Sequence, residues 1–153
     1  MLDKEEENLH FREYLRARDP GQLDAHVQRL NEEIAPQVDC TACGNCCKSL
    51  MVNITPVEVV KLAVFLEKEP EAVMEQYVET SLQGNMVLNS MPCPFLAGTR
   101  CGIYEDRFTE CREFPSLHQS GFRDRLFPTF MHYGRCPIIY NVVERLKVES
   151  GFC

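Results

Sequence analysis

Positive charge is scarce in this chain: 16 lysines and arginines stand against 23 aspartates and glutamates, for a formal charge of -7 and a pI near 5.1. A surface of that sign has little with which to displace the counterions of a phosphate backbone, so nucleic acid is excluded as an expected partner. Long apolar runs are missing too. The most apolar stretch, Leu62 to Leu66, is bounded by Lys61 and Glu67, far short of the roughly 20 apolar residues that a membrane span requires. Residues Met1 to Asn8 are polar and acidic, without the basic start and apolar run of a secretory signal, which predicts a cytoplasmic protein. The cysteine triple of the usual radical enzymes, with a three-residue and then a two-residue gap, is also absent. Cys43 and Cys47 supply the first gap, but Leu50 holds the third position.

What the chain has in excess is cysteine, nine residues in 153. Half of the stretch Cys40-Thr41-Ala42-Cys43-Gly44-Asn45-Cys46-Cys47 is thiol. Two residues between cysteines make a short turn that lets both sulphurs point at one centre, the local geometry of four-thiolate zinc sites and of iron-sulphur clusters alike. Gly44 suits such a turn because it adopts positive φ without steric cost. Cys93, Cys101, Cys111, Cys136 and Cys153 follow. In a reducing cytoplasm nine cysteines do not persist as a disulphide framework, so metal ligation is the better account of them. A thioredoxin-like dithiol needs only one Cys-x-x-Cys and a βαβ context, and it leaves the other thiols unexplained.

Around this cluster the chain reads as helical. Leu2 to Arg18 and Leu23 to Ile34 predict two helices parted at Asp19-Pro20-Gly21, with Leu9, Tyr14 and Leu15 on one apolar face and His26, Leu30 and Ile34 on the other. This N-terminal arm, residues 1–38, either packs on the remainder or offers an amphipathic face to a partner. Thr55-Pro56-Val57-Glu58 opens a helix running to about Lys68: a capping hydroxyl, proline at the first position, and glutamate three residues after the cap. Another helix is expected from Pro70 to Thr80, with Ala72, Val73, Met74 and Tyr77 inward, before Gly84-Asn85 breaks the pattern. Both helices are expected to cover the cysteine-rich half with apolar surface. Met86 to Ser90 reads as a short strand, Cys93 to Pro115 as loops, and Pro137 to Val148 as a helix with Ile138, Ile139, Val142, Val143 and Leu146 on its apolar side. Cys136 falls at that helix's N-cap, where the positive helix end favours a thiolate. The expected class is α+β, mainly helical: a small cysteine-rich metal-binding domain with long loops, spanning residues 39–153, behind the N-terminal arm.

The run Cys40 to Cys47, then Cys93-Pro94-Phe95-Leu96, Cys101-Gly102-Ile103-Tyr104-Glu105-Asp106-Arg107, Cys111-Arg112-Glu113-Phe114-Pro115 and Cys136-Pro137 resembles the YkgJ-type cysteine-cluster family, described as chelating zinc or iron. The resemblance covers roughly residues 39 to 140, with Phe108 standing where the family pattern usually has proline. It implies a shared metal site built from Cys40, Cys43, Cys46, Cys47, Cys93, Cys101, Cys111 and Cys136. A related domain occurs in flagellin lysine methylase, which makes protein modification conceivable, although kinship of domains transfers no activity.

Eight ligands divide into two four-coordinate sites, and the adjacent Cys46 and Cys47 project differently from the backbone. Closed structural or storage sites for two zinc ions are one reading. An iron-sulphur cluster on Cys40, Cys43 and Cys46 with the remote Cys136-Pro137 is the other, serving electron transfer or an enzyme that modifies a protein or peptide, with Cys47, Cys93, Cys101 and Cys111 then forming a second site or supporting shell. His118 and His132, between Cys111 and Cys136, are alternative imidazole ligands or plain surface and packing residues. Arg107 and Arg112 either balance charge beside thiolates or pair with Glu105, Asp106 or Glu113. Phe95, Tyr104 and Phe114 are expected to shield the site from solvent. Cys153, beyond the motifs, reads as a spare thiol. Gly121 to Phe127 reads as a solvated loop, or as a docking edge for a peptide or protein partner.

Overall fold

Two aspartates set the first two helices. The computed structural model describes residues 3–39, 43–49, 51–90 and 93–152, with the side chains of Cys46 and Ser49 outside that description. Asp3 accepts a hydrogen bond from the Lys4 amide and opens α1 (Lys4–Arg16); Asp19 accepts from the Gln22 amide and opens α2 (Pro20–Ile34). Pro20 occupies the first helical position, where its fixed φ suits a helix and an N–H would lack a partner. Asp19-Pro20-Gly21 therefore begins a helix three residues ahead of the expected Leu23, with the break falling before it.

Contacts divide the chain into two compact units, residues 40–114 and residues 1–39 with 115–153. In the 40–114 unit, α3 (Asn45–Ser49) carries Cys46 and Cys47. The predicted capping box then forms in full: Thr55 Oγ1 accepts from the Glu58 amide and the Glu58 carboxylate accepts from the Thr55 amide, at 3.2 and 3.1 Å, opening α4 (Pro56–Leu66). After α5 (Pro70–Tyr77) the expected helix gives way at β1 (Val78–Thr80), which pairs antiparallel with β2 (Met86–Leu88) in the register Val78 to Leu88 and Thr80 to Met86. Val78 and Thr80 are β-branched, and the ladder with β2 outweighs continuation of the helix.

The segment from Cys93 to Pro115, expected as loops, contains a hairpin and a helix. Gly98, at φ +66°, lies in the two-residue turn between β3 (Leu96–Ala97) and β4 (Arg100–Cys101). A 3-10 turn over Tyr104–Asp106 leads to α6 (Thr109–Glu113). The core of this unit gathers Val52, Ile54, Val59, Leu62, Val73, Ile103 and Phe108, with Cys93, Cys101 and Cys111 packed against it. As expected, α4 and α5 furnish apolar cover for the cysteine-rich half, although Ala72 is exposed. Phe108, the departure from the family's proline, is 3% exposed, so its ring is a core element.

In the other unit, a 3-10 turn over Phe122–Arg125 runs into α7 (Leu126–Met131), followed by α8 (Pro137–Glu149). The expected loop from Gly121 is thus ordered helix and turn, and Asp24 on α2 accepts hydrogen bonds from the Gly121 and Phe122 amides. α2 packs against α8, whose Ile138, Ile139, Val142, Val143 and Leu146 are all buried as the spacing predicted. The true stripe on α2 is Leu23, Val27, Leu30 and Ile34, at helical intervals. On α1 the buried apolar residues are Phe11 and Leu15, while Leu9, expected inside, is 53% exposed. His26, also expected inside, reaches Glu149 at 3.3 Å.

Lys147 is the unexpected resident of this core. Its Nζ donates to Glu7 Oε1, Asn8 Oδ1 and Glu144 Oε1 at 2.7, 2.7 and 2.9 Å, and Tyr133 donates to the same Glu144 oxygen at 2.6 Å. The ammonium also faces the Phe11 and Tyr133 rings. Among the described residues no helix is long and apolar enough to cross a membrane. The fold is mainly helical α+β, as the sequence predicted.

Candidate metal centre

Cys47, Cys93, Cys101 and Cys111 of the 40–114 unit are each positioned by a different piece of backbone. Gly44 precedes α3 at φ +64° and is buried against the β3–β4 turn. A Cβ there would lie 2.9 Å from Thr99 Cα and 3.1 Å from the Thr99 carbonyl oxygen, so only glycine allows this approach. The Cys47 carbonyl then accepts from the Cys93 amide at 2.7 Å, and the Cys93 carbonyl accepts from the Leu96 amide at 3.1 Å. Cys101 lies on β4 opposite Leu96, and Cys111 on α6.

Two glutamates hold α6 in place. Glu58, already half of the α4 capping box, turns its second oxygen to the Thr109 amide at 2.8 Å, giving α6 the N-terminal acceptor that Phe108 cannot supply. Glu110 accepts from the backbone and side-chain amides of Asn53 at 2.8 and 2.9 Å. Sequence spacing gave no signal for either contact, since the partners are 51 and 57 residues apart.

Cys47, Cys93, Cys101 and Cys111 line one cavity of about 210 Å³. Ile103, Phe108 and Phe114 give it apolar walls, and Thr99, Tyr104, Arg107 and Arg112 complete the lining. Tyr104 and Phe114 thus stand where a shield was expected; Phe95 packs behind, its ring 5.0 Å from Tyr77 and 6.4 Å from Phe108. The donor set fits a thiophilic metal: four soft ligands from four segments around a largely apolar space. Among the described residues, no three His, Cys, Asp or Glu side chains are grouped closely enough to hold an ion as they stand. With Zn–S bonds near 2.3 Å, closing the four thiols on one ion requires their side chains to converge.

Of the other candidates, Cys43 is half-buried beside Gly44, while Cys40 and the side chain of Cys46 lie outside the described residues, as does Cys153. Cys136 belongs to the other unit, at the N-cap of α8 with Pro137 at the first helical position, as predicted. His118 and His132 are also in that unit, the first exposed and the second 9% exposed. Burial, aided by Arg135, holds the His132 imidazole below its ordinary pKa. Arg112 donates to the Glu105 and Arg107 carbonyls at 3.3 and 3.5 Å. Arg107 lies over the Tyr104 ring, 4.0 Å from its centroid.

A family profile, CxxCxxCC, with the description "Putative zinc- or iron-chelating domain", matches residues 39–132. The match takes in Cys40 to Cys47, Cys93, Cys101 and Cys111, and ends before Cys136. No curated protein and no solved structure matches the chain.

Proposed function

The chain belongs to the CxxCxxCC family of zinc- or iron-chelating domains, and from that premise we propose that its 40–114 unit holds zinc in a closed site formed by the thiolates of Cys47, Cys93, Cys101 and Cys111. The observation that carries this reading is the presence of those four cysteines, from four separate segments, around one cavity. Four thiolates satisfy tetrahedral zinc with no open position, so the role is structural or storage rather than catalytic. Zinc there supplies a crosslink. Each cysteine gives up its proton on ligation, and drawing the four side chains together couples binding to ordering of the surrounding loops. Cys40, Cys43 and Cys46 are left for a second site in this reading, and Cys136, in the other unit, is a separate candidate ligand. The working compartment is the reducing cytoplasm, where these thiols stay available.

The second reading rests on spacing: Cys40, Cys43 and Cys46 at two-residue gaps, with Cys136-Pro137 remote, follow the bacterial ferredoxin pattern. It assigns an iron-sulphur cluster, used in electron transfer or by an enzyme acting on a protein or peptide. Anaerobic purification with metal and acid-labile sulphide analysis separates the two. Near-stoichiometric zinc without sulphide is expected; iron with matching sulphide and a broad visible band would replace the zinc reading with the cluster.

A further inference from the structure

Arg107 lines the same cavity as the four thiols and carries a buried polar atom that is hard to account for. Its Nε is buried and, among the described residues, has no hydrogen-bond partner. Leaving such a donor unsatisfied costs about 1–3 kcal/mol. Three carboxylates are near it in sequence, Glu105, Asp106 and Glu113, yet among the described residues no ion pair reaches Arg107. Its contact is with Tyr104, whose ring lies 4.0 Å from the guanidinium carbon and limits how the plane can turn. Arg112, by contrast, is engaged with the carbonyls of Glu105 and Arg107 and so braces the loop on which Arg107 stands.

We infer that Arg107 is the counter-charge of the metal centre, its Nε–H donating to a thiolate of the bound site; this rests on the four-thiolate reading above. Zinc with four thiolates carries two net negative charges, and the apolar walls of Ile103, Phe108 and Phe114 screen them poorly. A guanidinium at that wall offsets the charge and draws electron density from the sulphur it touches. The cavity thereby selects an anionic, all-thiolate centre over a neutral mixed site of two thiolates and two imidazoles. Arg107 is a positioning residue, without contact to the metal itself.

The test uses the full chain loaded anaerobically with zinc or with cobalt(II), reading chelator competition and the thiolate-to-cobalt charge-transfer band. Arg107→Gln is expected to keep metal stoichiometry while losing about 10–100-fold in affinity, the usual effect of removing an outer partner. Its band moves to lower energy, because the thiolate is left richer in electrons. Arg107→Lys recovers part of the affinity through charge but not the band position, and Arg112→Gln leaves the band in place. A merely structural role would shift the denaturation midpoint of the metal-free protein and leave the band alone, which overturns the inference. So does wild-type affinity in Arg107→Gln when Cys111→Ser has lost metal, an outcome that keeps the four-thiolate reading intact. Undiminished metal in Cys111→Ser would remove both. Should Arg107→Gln fail to fold, an unmoved band in Arg107→Lys is the refuting result.

Discussion

Replacing Gly44 by alanine tests what places α3 beside the β3–β4 turn, and two other glycines of the same unit act as its controls. Gly44, Gly84 and Gly98 all have positive φ, at 64°, 85° and 66°. An L-residue in that region costs about 1–2 kcal/mol, which is the whole expected effect of Gly84→Ala and Gly98→Ala, since among the described residues nothing lies within 4 Å of a Cβ at either position. At Gly44 the added methyl would stand 2.9 and 3.1 Å from backbone atoms of Thr99, which have no rotamer to change. Forcing extra volume into a packed site costs about 1–3 kcal/mol more, giving about 2–5 kcal/mol in total. Denaturant unfolding of the metal-loaded protein, with midpoints compared at equal slope, reads the difference. Zinc competition on the same variants should show weakened binding for Gly44→Ala alone, because only that substitution pushes the Cys47 segment away from Cys93 and Cys101. Equal midpoints for Gly44→Ala and Gly84→Ala would refute the close approach.

Glu58→Ala removes an acceptor from two helix starts at once, so it should destabilise the 40–114 unit by about 1–3 kcal/mol, more than Thr55→Ala, and it should weaken zinc binding through Cys111, as seen in chelator competition. Lys147→Met leaves Glu7 and Glu144 facing each other without their buried cation and should cost about 2–4 kcal/mol by chemical denaturation. The same network predicts acid lability. The Lys147 hydrogen bond holds the Glu7 carboxyl below its usual 4.5; at Glu144 burial pushes upward, but hydrogen bonds from Tyr133 and Lys147 outweigh it and the net shift is downward. A carboxyl depressed in the folded state contributes stability above 4.5 and loses it as pH falls through the lowered value. Circular dichroism on acidification should therefore show a transition that Lys147→Met blunts. Cys111→Ser should lose zinc where Cys153→Ser retains it, and equal metal content in the two would sink the ligand assignment.

Local chemistry carried the parts of this fold that the sequence made readable. The Thr55 to Glu58 capping box and the apolar face of α8 depend on residues within four positions of one another, and both form as their spacing implies. β1 was not readable in that way, because Val78 and Thr80 leave the helix for a local hairpin, pairing with Leu88 and Met86, and helical periodicity does not register a cross-strand ladder. The run from Cys93 to Pro115 looked irregular for a related reason: α6 takes its N-terminal acceptor from Glu58, 51 residues earlier. At the candidate centre the cysteines stand out by spacing, and the cavity lies among Cys47, Cys93, Cys101 and Cys111, the set left over once Cys40, Cys43 and Cys46 are grouped by spacing with Cys136. The cavity draws Cys47 from the crowded motif and leaves Cys136 to the other unit.

The interleaving of the two units has a consequence for synthesis. α2 ends at Ile34 and its packing partner α8 begins at Pro137, roughly 100 residues later, which at about 5–20 residues per second is on the order of 5–20 s of elongation. Through that interval the apolar stripe of Leu23, Val27, Leu30 and Ile34 is on the nascent chain without α8 to cover it. The cysteine-rich segment emerges wholly within the same interval, so the supply of metal meets a chain whose other half is still waiting for its last helix.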